Sequence, residues 1–265
     1  MQKKNITIIG GGNLGSAMAQ GLLQKKFCLP EQITVTKRNP STLTSLQEKG
    51  IKVTGDNVDA VKNADIIILA VKPFQAKEVL DAIKDHYKNS DVLVCSVVTG
   101  FTLEQIKSSS PSTISIVRAM PNTAIAIGES MTCLCTTSIK EDQKLYIESL
   151  FNQLGKVVFI NEGLMDAATV LGACGIAYAL RFIRANIQGG IEIGFDAATA
   201  TLIASQTVKG AAELLIQTGH HPEQEIDKVT TPKGCTIAGL NEMEHQGFSS
   251  SLIKGITVSF QKIGK

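Results

Sequence analysis

The chain has 265 residues, of which 43% are hydrophobic and 19% charged, which is globular composition with enough length for one large or two small domains. A disordered tail is therefore excluded. The net charge is only +2 and the basic residues are scattered singly or in pairs, so no face is expected to bind nucleic acid.

The cysteines and the apolar stretches predict a cytoplasmic location without a membrane span. Only Cys133 and Cys135 lie close together, and no second pair or nearby His completes a zinc spacing. We therefore expect six buried thiols in a reducing compartment and no metal. The N-terminal apolar run is too short for a signal sequence. The longest apolar stretch, from Ala167 to Ile183, carries Arg181 and suits a helix buried between other helices.

From residue 1 to about residue 160, short β-branched runs alternate with longer helical stretches, a pattern typical of a parallel sheet crossed by helices. The expected strands are Asn5–Ile9, Gln32–Thr36, Ile66–Val71, Val92–Val97 and Ile114–Arg118, with two weaker ones at Thr132–Thr136 and Val157–Ile160. The expected helices are Asn13–Lys25, Ser41–Glu48, Val58–Lys62, Gln75–Asp85, Leu103–Ser108 and Lys140–Leu154.

Beyond about residue 163 the strand pattern disappears and only helical spacing remains. The expected helices are Leu164–Gly189, Asp196–Thr218 and Ser249–Lys262. We place the boundary at Glu162–Gly163, which gives a sheet domain over 1–162 and a helical domain over 163–265. The helical half is rich in Ala and Gly, so each helix has little apolar area to bury alone, and association of subunits would supply it. A compact monomeric helical cap is the alternative.

A glycine-rich turn follows the first predicted strand and opens a helix. The run from Gly10 to Gly15 fits the G-x-G-x-x-G fingerprint of dinucleotide-binding folds. In that fingerprint Gly10 permits a tight turn, Gly12 leaves room for a pyrophosphate, and Gly15 lets the helix pack on the strand. The strand before and the helix after favour a dinucleotide site over a turn without a ligand.

The end of the second predicted strand indicates which dinucleotide is bound. In NAD-binding folds an acidic residue about 20 positions after the glycines holds the ribose 2′-hydroxyl. This chain has Thr36, Lys37 and Arg38 there instead. Arg38 suits a 2′-phosphate bidentately and Lys37 suits it as a point charge, so NADP is favoured over NAD. A solvated strand end would carry the same charges.

Two later segments are rich in groups that bind ligands. Lys72 and Pro73 follow the third predicted strand, at the sheet edge where open α/β folds bind ligands, although a loop lysine before a helix-starting proline is also ordinary. The segment Asp227–Gly239 runs into a helix and suits a carboxylate. Its candidate groups are the hydroxyls of Thr230, Thr231 and Thr236 and the backbone N–H groups of Gly234, Cys235 and Thr236. Helix capping by Thr231 or Thr236 is the alternative.

The usual residues of hydrolytic and ATP chemistry are missing. None of the four histidines stands beside a nucleophile motif, and the sequence has no G-x-S-x-G, no H-E-x-x-H and no P-loop. With a nicotinamide supplying a hydride, the protein need only position the acceptor.

Taken together, Gly10–Gly15, Ala70–Pro73, Arg118–Thr123 and above all Thr230–Gly239 resemble the pyrroline-5-carboxylate reductase family over essentially the whole chain. The run D-x-V-T-T-P-x-G-x-T-x-x-G-L, which begins at Asp227, is a signature of that family. The resemblance implies an α/β Rossmann-type parallel sheet domain followed by an all-α dimerisation domain. It also implies a homodimer that often assembles into a decamer, and the reduction of 1-pyrroline-5-carboxylate to L-proline with NADPH or NADH.

The resemblance further implies a role for each matching position. The pyrophosphate would lie on Gly10, Gly12, Asn13, Leu14 and Gly15. The adenosine end would contact Thr36, Lys37, Arg38 and Asn57, and the nicotinamide end would contact Ala70, Lys72 and Pro73. The substrate would be held by Gly234, Cys235 and Thr236, beside Thr231 of the predicted carboxylate site. The Thr236 hydroxyl would hydrogen-bond the ring nitrogen, as the catalytic positioning group and not as an acid or base.

The chain also departs from the family's usual pattern. It has Cys174 and Ile176 where G-S-G-P-A-Y is usual, Lys233 where a second glycine is common, and Ala124 where proline is usual. These departures leave open a catalytically weak NADP-binding paralogue with a regulatory or structural role. A different imine or 2-hydroxy-acid reductase is the other alternative, and Thr230–Gly239 argues against it.

Overall fold

The computed structural model describes residues 4–87, 91–137 and 139–263. Its first compact unit extends to Cys174 and its second covers Gly175–Lys262. The first unit is built on one sheet in the order β3-β2-β1-β4-β5-β6-β7-β8. The strands are β1 (Ile6–Ile9), β2 (Ile33–Thr36), β3 (Lys52–Thr54), β4 (Ile66–Leu69), β5 (Leu93–Ser96), β6 (Ser115–Met120), β7 (Ser130–Thr136) and β8 (Gly155–Phe159).

Helices and short helical turns connect these strands. The helices are α1 (Asn13–Gln24), α2 (Thr44–Gln47), α3 (Asn57–Val61), α4 (Pro73–Ile83), α5 (Leu103–Ser108), α6 (Glu141–Asn152) and α7 (Met165–Ala168). The 3-10 turns are Pro30–Gln32, Pro40–Leu43, Thr123–Ile127 and Glu162–Leu164, and a π-helix covers Thr169–Cys174.

The central strands β1, β4 and β5 are buried at every position because both faces of the sheet are covered. In β4, Ile66 and Ile68 pack into one buried apolar cluster, whereas Ile67 and Leu69 pack into another. This alternation follows from the two-residue period of a strand. The sheet is therefore a rigid layer between two cores, and its carboxyl edge is a fixed platform.

The seven predicted strands are confirmed to within two residues at each end. The sequence missed β3, because Lys52–Thr54 is short and none of its residues is fully buried. The expected parallel sheet is confirmed except between β6 and β7, which pair antiparallel. The connection of residues 121–129 is too short for a crossover, since parallel neighbours need a dozen or more connecting residues.

The second unit consists of helices. They are α8 (Gly175–Glu192), α9 (Ala197–Thr218), α10 (Pro222–Lys228), α11 (Cys235–His245) and α12 (Phe248–Lys262). The single helix expected over Leu164–Gly189 is instead divided into a 3-10 turn, α7, the π-helix and α8. At the end of α7 the Thr169 hydroxyl donates to the Met165 carbonyl at 2.8 Å, a contact that bends helices.

The first unit extends past the predicted domain boundary at Glu162–Gly163. Met165 and Val170 are each 1% exposed, and Met165 belongs to one of the two apolar clusters of the sheet. The chain therefore continues to pack on the first unit until Cys174. The boundary of the dimerisation domain stays a prediction.

The second unit exposes many large apolar side chains. The side chains more than half exposed include Leu180, Ile193, Leu202, Leu214, Ile216 and Ile253. Only Ala200 and Ala204 are buried among the residues described between Gly175 and Lys262. An exposed apolar surface of this kind marks an interaction site.

One segment, Glu162–Glu192, is long and apolar enough to cross a membrane by length and composition, with a mean hydropathy of 1.5. Only 17% of this apolar stretch is buried within the chain. A helix buried between subunits can have the same length and composition. The expected burial of this segment between other helices therefore stays a prediction.

The cysteines are only partly as expected. Cys28, Cys95 and Cys135 are buried, and burial raises the pKa of Cys28 and of Cys135 to about 11, so these thiols stay protonated and unreactive. The expectation that all six are buried is wrong for Cys235, which is exposed in the first turn of α11. In the described residues no group of three His, Cys, Asp or Glu side chains is placed to hold a metal.

Helix α9 is capped by Asp196, whose carboxylate accepts hydrogen bonds from the N–H groups of Ala198 and Thr199, both at 3.0 Å. Hydrogen bonds from Thr199, first its side chain and then its backbone, lower the pKa of Asp196 below the ordinary 3.8. A lowered folded-state pKa adds stability above the unfolded pKa, and this stability is lost as the pH falls through the folded value. Asp196→Ala is expected to lower the unfolding midpoint at pH 7 by a few degrees.

Asp196→Asn is the matched control, because Asn caps helices well but does not titrate. The difference in unfolding midpoint between the parent and Asp196→Asn should shrink as the pH is lowered below about 4. A difference that is constant from pH 7 to pH 3 would show that the ionised form of Asp196 does not stabilise the fold.

Candidate functional site

A cleft of about 860 Å³ opens at the carboxyl edge of the sheet in the first unit. It lies where β1 pairs with β2 on one side and with β4 on the other, the switch point at which open α/β sheets bind ligands. The predicted cofactor residues that line it are Gly10, Gly12, Asn13, Leu14, Thr36, Lys37, Arg38, Asn57, Ala70, Lys72 and Pro73. Gly15 is buried beneath the turn and does not line the cleft.

The glycine turn has the geometry that the fingerprint requires. Gly10 has a φ of +112°, and a Cβ there would lie 2.3 Å from the Ala70 carbonyl oxygen. A Cβ on Gly15 would lie 2.1 Å from the Gly10 carbonyl oxygen, so Gly15 is needed for packing. A Cβ on Gly12 would meet nothing within 4 Å. The space beside Gly12 is therefore open to a ligand.

The N-terminus of α1 faces this open space without a side-chain partner. Gly12 is the N-cap residue and has no side chain to cap the helix, and the first turn carries no acidic residue. The first N–H groups of a helix lack intrahelical acceptors, and the helix dipole places partial positive charge there. The N–H groups of Gly10 and Gly11, in contrast, donate to the Thr36 carbonyl. The turn is thus held by β2 while the helix end can bind an anion.

Thr36 and Asn57 form a pair at the other end of the cleft. The Thr36 side chain is buried, and its hydroxyl donates to Asn57 Oδ1 at 2.6 Å. With its oxygen facing Thr36, the Asn57 amide has its NH₂ group available to donate to a ligand. The Thr36 hydroxyl proton is donated to Asn57, so the predicted contact of Thr36 with the ribose would not use that proton.

The charge of the cleft is positive. Among the described residues that line it, Lys37, Arg38 and Lys72 are basic and none is acidic. Lys37 and Arg38 follow β2 directly, and Arg38 is exposed. Lys72 is the N-cap residue of α4 at the far side of the cleft. This distribution suits a ligand with several phosphate groups.

The sequence missed part of the lining. Val97, Val98 and Thr99 line the cleft immediately after β5, and Gly55 lines it after β3. The signal was present for the first three, because β5 is parallel to β4 and so ends at the same edge. The position of Gly55 in the cleft could not be predicted, because the strand before it, β3, was not predicted.

The predicted substrate residues lie in the second unit, in a turn and the helix that follows it. The Gly234 N–H donates to the Thr231 carbonyl at 3.0 Å, which closes a β-turn with Pro232 at its second position. Lys233, at the third position, has a φ of +59°. This left-handed conformation explains why glycine is the ordinary residue there in a turn of this kind. A Cβ on Gly234 would lie 2.5 Å from Thr231 Oγ1 and 3.0 Å from the Thr231 carbonyl oxygen, so a larger residue there would displace the Thr231 side chain.

The first turn of α11 lacks a side-chain cap. Gly234 is its N-cap residue, and neither of the hydroxyls considered as caps, those of Thr231 and Thr236, fills this role in the described structure. The Thr230 hydroxyl donates to the Ile226 carbonyl of α10 at 2.8 Å, and its contribution to the carboxylate site stays a prediction. The N–H groups at the start of α11, which begins with Cys235, are left for an anion.

Comparison with known proteins finds matches to both units. The family model described as pyrroline-5-carboxylate reductase dimerisation matches residues 162–265, and the model described as NADP oxidoreductase coenzyme F420-dependent matches residues 5–100. Pyrroline-5-carboxylate reductase 1 of Dictyostelium discoideum is 47% identical over 97% of this chain, which spans only 49% of that relative. Pyrroline-5-carboxylate reductase 2 of the same organism is 43% identical over 99% of this chain and 93% of its own length.

Solved structures give the same match. A pyrroline-5-carboxylate reductase from Coxiella burnetii superposes with a TM-score of 0.91 at 31% identity, covering 99% of this chain and 98% of its own. The Plasmodium falciparum pyrroline carboxylate reductase with NADP bound superposes with a TM-score of 0.89 at 27% identity, covering 99% of this chain and 97% of its own. The similarity therefore covers both units.

Proposed function

The chain belongs to the pyrroline-5-carboxylate reductase family, and we propose that it reduces 1-pyrroline-5-carboxylate to L-proline with NADPH as the preferred hydride donor. The observation that carries this proposal is the uncapped start of α11 behind the turn at Thr231–Gly234, in the half of the chain that matches the family's dimerisation model. A 2-hydroxy-acid reductase would also bind a carboxylate, but the Thr230–Gly239 signature and the match of residues 162–265 to the family's dimerisation model argue against that alternative.

We assign the cofactor to the cleft of the first unit, whose residues fit it. The open space at Gly12 and the free N–H groups of α1 suit a pyrophosphate. Asn57 would donate its NH₂ group to the adenosine end, while Ala70 and Lys72 would lie at the nicotinamide end. When bound, the reduced nicotinamide supplies the hydride.

The preference for NADPH rests on the two cations after β2. Lys37 and Arg38 line the cleft on the side of Gly55 and Asn57, where a 2′-phosphate on the adenosine ribose would lie. The described residues that line the cleft include no acidic residue, and an acidic residue there would bind a 2′-hydroxyl and repel a phosphate. The relative from Plasmodium falciparum was solved with NADP bound, which supports the same choice. NADH would be the weaker donor.

We assign the substrate to Thr231, Gly234, Cys235 and Thr236. The N-terminus of α11 would hold the carboxylate, and this contact would fix which ring carbon faces the nicotinamide. The Thr236 hydroxyl would hydrogen-bond the ring nitrogen. The protonated imine needs no side chain with an altered pKa, because its proton can come from solvent before binding. Thr236 therefore positions the ring and does not act as an acid or base.

We also propose that the protein is a cytoplasmic homodimer, with the decamer as its further assembly, and that it binds neither nucleic acid nor a membrane. The exposed apolar side chains of the second unit support self-association, because a second copy of the same helices can bury them. The description of the family model that matches residues 162–265 names dimerisation. The free cysteines suit a reducing compartment.

The proposed reaction is tested by following NADPH oxidation with purified protein and pyrroline-5-carboxylate, and again with NADH and with a six-membered-ring imino acid. We expect robust turnover of the five-membered ring with NADPH. NADPH binding without turnover of either ring would favour a non-catalytic NADP-binding paralogue, and Cys174, Ile176 and Lys233 would then be the first residues to restore toward the family's pattern.

Thr236→Ala is expected to lower kcat about 10- to 100-fold, the value of one hydrogen bond to a charged group. The fold should be unchanged, because Thr236 is only half-buried and Ala favours a helix. Thr236→Ser retains the hydroxyl and is the matched control. Equal kinetics for the Ala and Ser variants would show that another group holds the ring nitrogen.

A further inference from the structure

The chain leaves the first unit through a short segment with unusual geometry, residues 162–174, here called the boundary segment. It consists of a 3-10 turn, α7 and the π-helix Thr169–Cys174, and the second unit begins at the next residue, Gly175. π-helical turns are rare and are frequently found at functional sites. The apolar contacts of Met165 and Val170 hold the middle of this segment. Its two ends are held by polar contacts.

An ion pair holds the first end. Arg118 on β6 is 4% exposed, and its Nη1 lies 2.9 Å from Glu162 Oε1. The same oxygen accepts a hydrogen bond from the Leu103 N–H at 2.7 Å. A buried guanidinium needs such a partner, because leaving it unpaired costs several kcal/mol. Glu162 is thereby fixed both to the sheet and to the start of α5.

An amide holds the other end. Asn122, which follows β6, is 7% exposed, and its Nδ2 donates to the Gly172 carbonyl inside the π-helix at 3.3 Å. Its Oδ1 accepts from the Ala124 N–H at 3.0 Å, and its own N–H donates to Ser130 Oγ at 3.1 Å. Ser130 is in turn 3.2 Å from the hydroxyl of Thr132. The Asn122 side chain is therefore held at both its oxygen and its nitrogen, and its backbone is held by Ser130.

We propose that Arg118 and Asn122 are positioning residues that clamp the boundary segment in its observed conformation, up to the last residues before Gly175. Both belong to β6 or its first following residues, so one rigid strand end holds both ends of the segment. The clamp itself does not depend on the proposed function, and only its expected effect on turnover rests on that function. A displacement of about 1 Å at reacting atoms is enough to lower a rate roughly 100-fold.

The test uses two variants of the full-length protein. Asn122→Ser keeps a good capping residue for the turn that follows but is too short to reach Gly172. Arg118→Met removes the hold on Glu162 without leaving a buried charge, and Glu162 is exposed enough to be solvated. We expect kcat to fall roughly 10- to 100-fold in the double variant, with an unchanged dissociation constant for NADPH. Amide exchange in residues 169–174 should rise about tenfold.

Thr7→Val is the matched control. It removes a buried hydroxyl that donates to the Ala60 carbonyl at 2.9 Å, in the same unit but outside the boundary segment. Unchanged exchange in residues 169–174 would overturn the clamp, and so would a fall in kcat as large in Thr7→Val as in the double variant. If the parent protein does not reduce the imine, the proposed reaction fails, and the exchange measurement still decides whether the clamp exists.

Discussion

Gly12→Ala is expected to weaken NADPH binding at least about 100-fold while the free energy of unfolding changes by no more than about 1 kcal/mol. The added Cβ would meet no protein atom within 4 Å, and Gly12 has a φ of −79°, which Ala adopts freely. The same Cβ would occupy the space in front of the α1 N-terminus. It would separate the pyrophosphate from the N–H groups, and two charge-assisted hydrogen bonds contribute about 3 kcal/mol or more.

Gly10→Ala should behave in the opposite way. Its Cβ would lie 2.3 Å from a backbone oxygen, and its φ of +112° is strained for any residue with a side chain. We expect a loss of about 3 kcal/mol in stability, with weaker binding only as a consequence.

The pair is measured by denaturant unfolding and by NADPH titration without substrate. The contrast between the two variants carries the test. If Gly12→Ala binds NADPH as the parent does, the pyrophosphate does not lie on this helix end. If it unfolds as easily as Gly10→Ala, the space beside Gly12 is not open.

The glycine turn was predictable because its determinants are local. A strand, three glycines at fixed spacing and a helix specify the turn without knowledge of the remaining chain. The contact between Thr36 and Asn57 could not be predicted in the same way, since the two residues are 21 positions apart and meet only because β2 and α3 adjoin the same edge. The antiparallel pairing of β6 with β7 likewise depends on where the chain turns back.

In the helical part of the chain after β8, the helices were easier to predict from the sequence than their interruptions. Apolar periodicity predicts α9 and α12, but the π-helix depends on the Thr169 hydroxyl and on Asn122, which is distant in sequence. The left-handed conformation of Lys233 was also hidden, because a lysine carries no signal for positive φ. The family resemblance marked that position as a departure without giving its backbone conformation.

Arg38→Asp is expected to raise the KM for NADPH about 100-fold and to leave the KM for NADH within about threefold. The substitution removes a guanidinium that suits bidentate binding of a phosphate and places a carboxylate where the 2′-phosphate would lie. With NADH the new carboxylate can accept a hydrogen bond from the 2′-hydroxyl, as acidic residues at this strand end do in NAD-binding folds. Because Arg38 is exposed, the loss with NADPH should be smaller at high salt.

Two control variants separate the contact from the overall charge. Lys156→Asp makes the same charge change on the exposed edge strand β8, outside the residues that line the cleft, and should change neither KM. Arg38→Lys keeps the charge but loses the bidentate geometry, so its KM for NADPH should lie between those of the parent and Arg38→Asp. Equal weakening of NADPH and NADH by Arg38→Asp would place the 2′-phosphate elsewhere. The coenzyme preference would then have to come from Lys37, the second cation after β2.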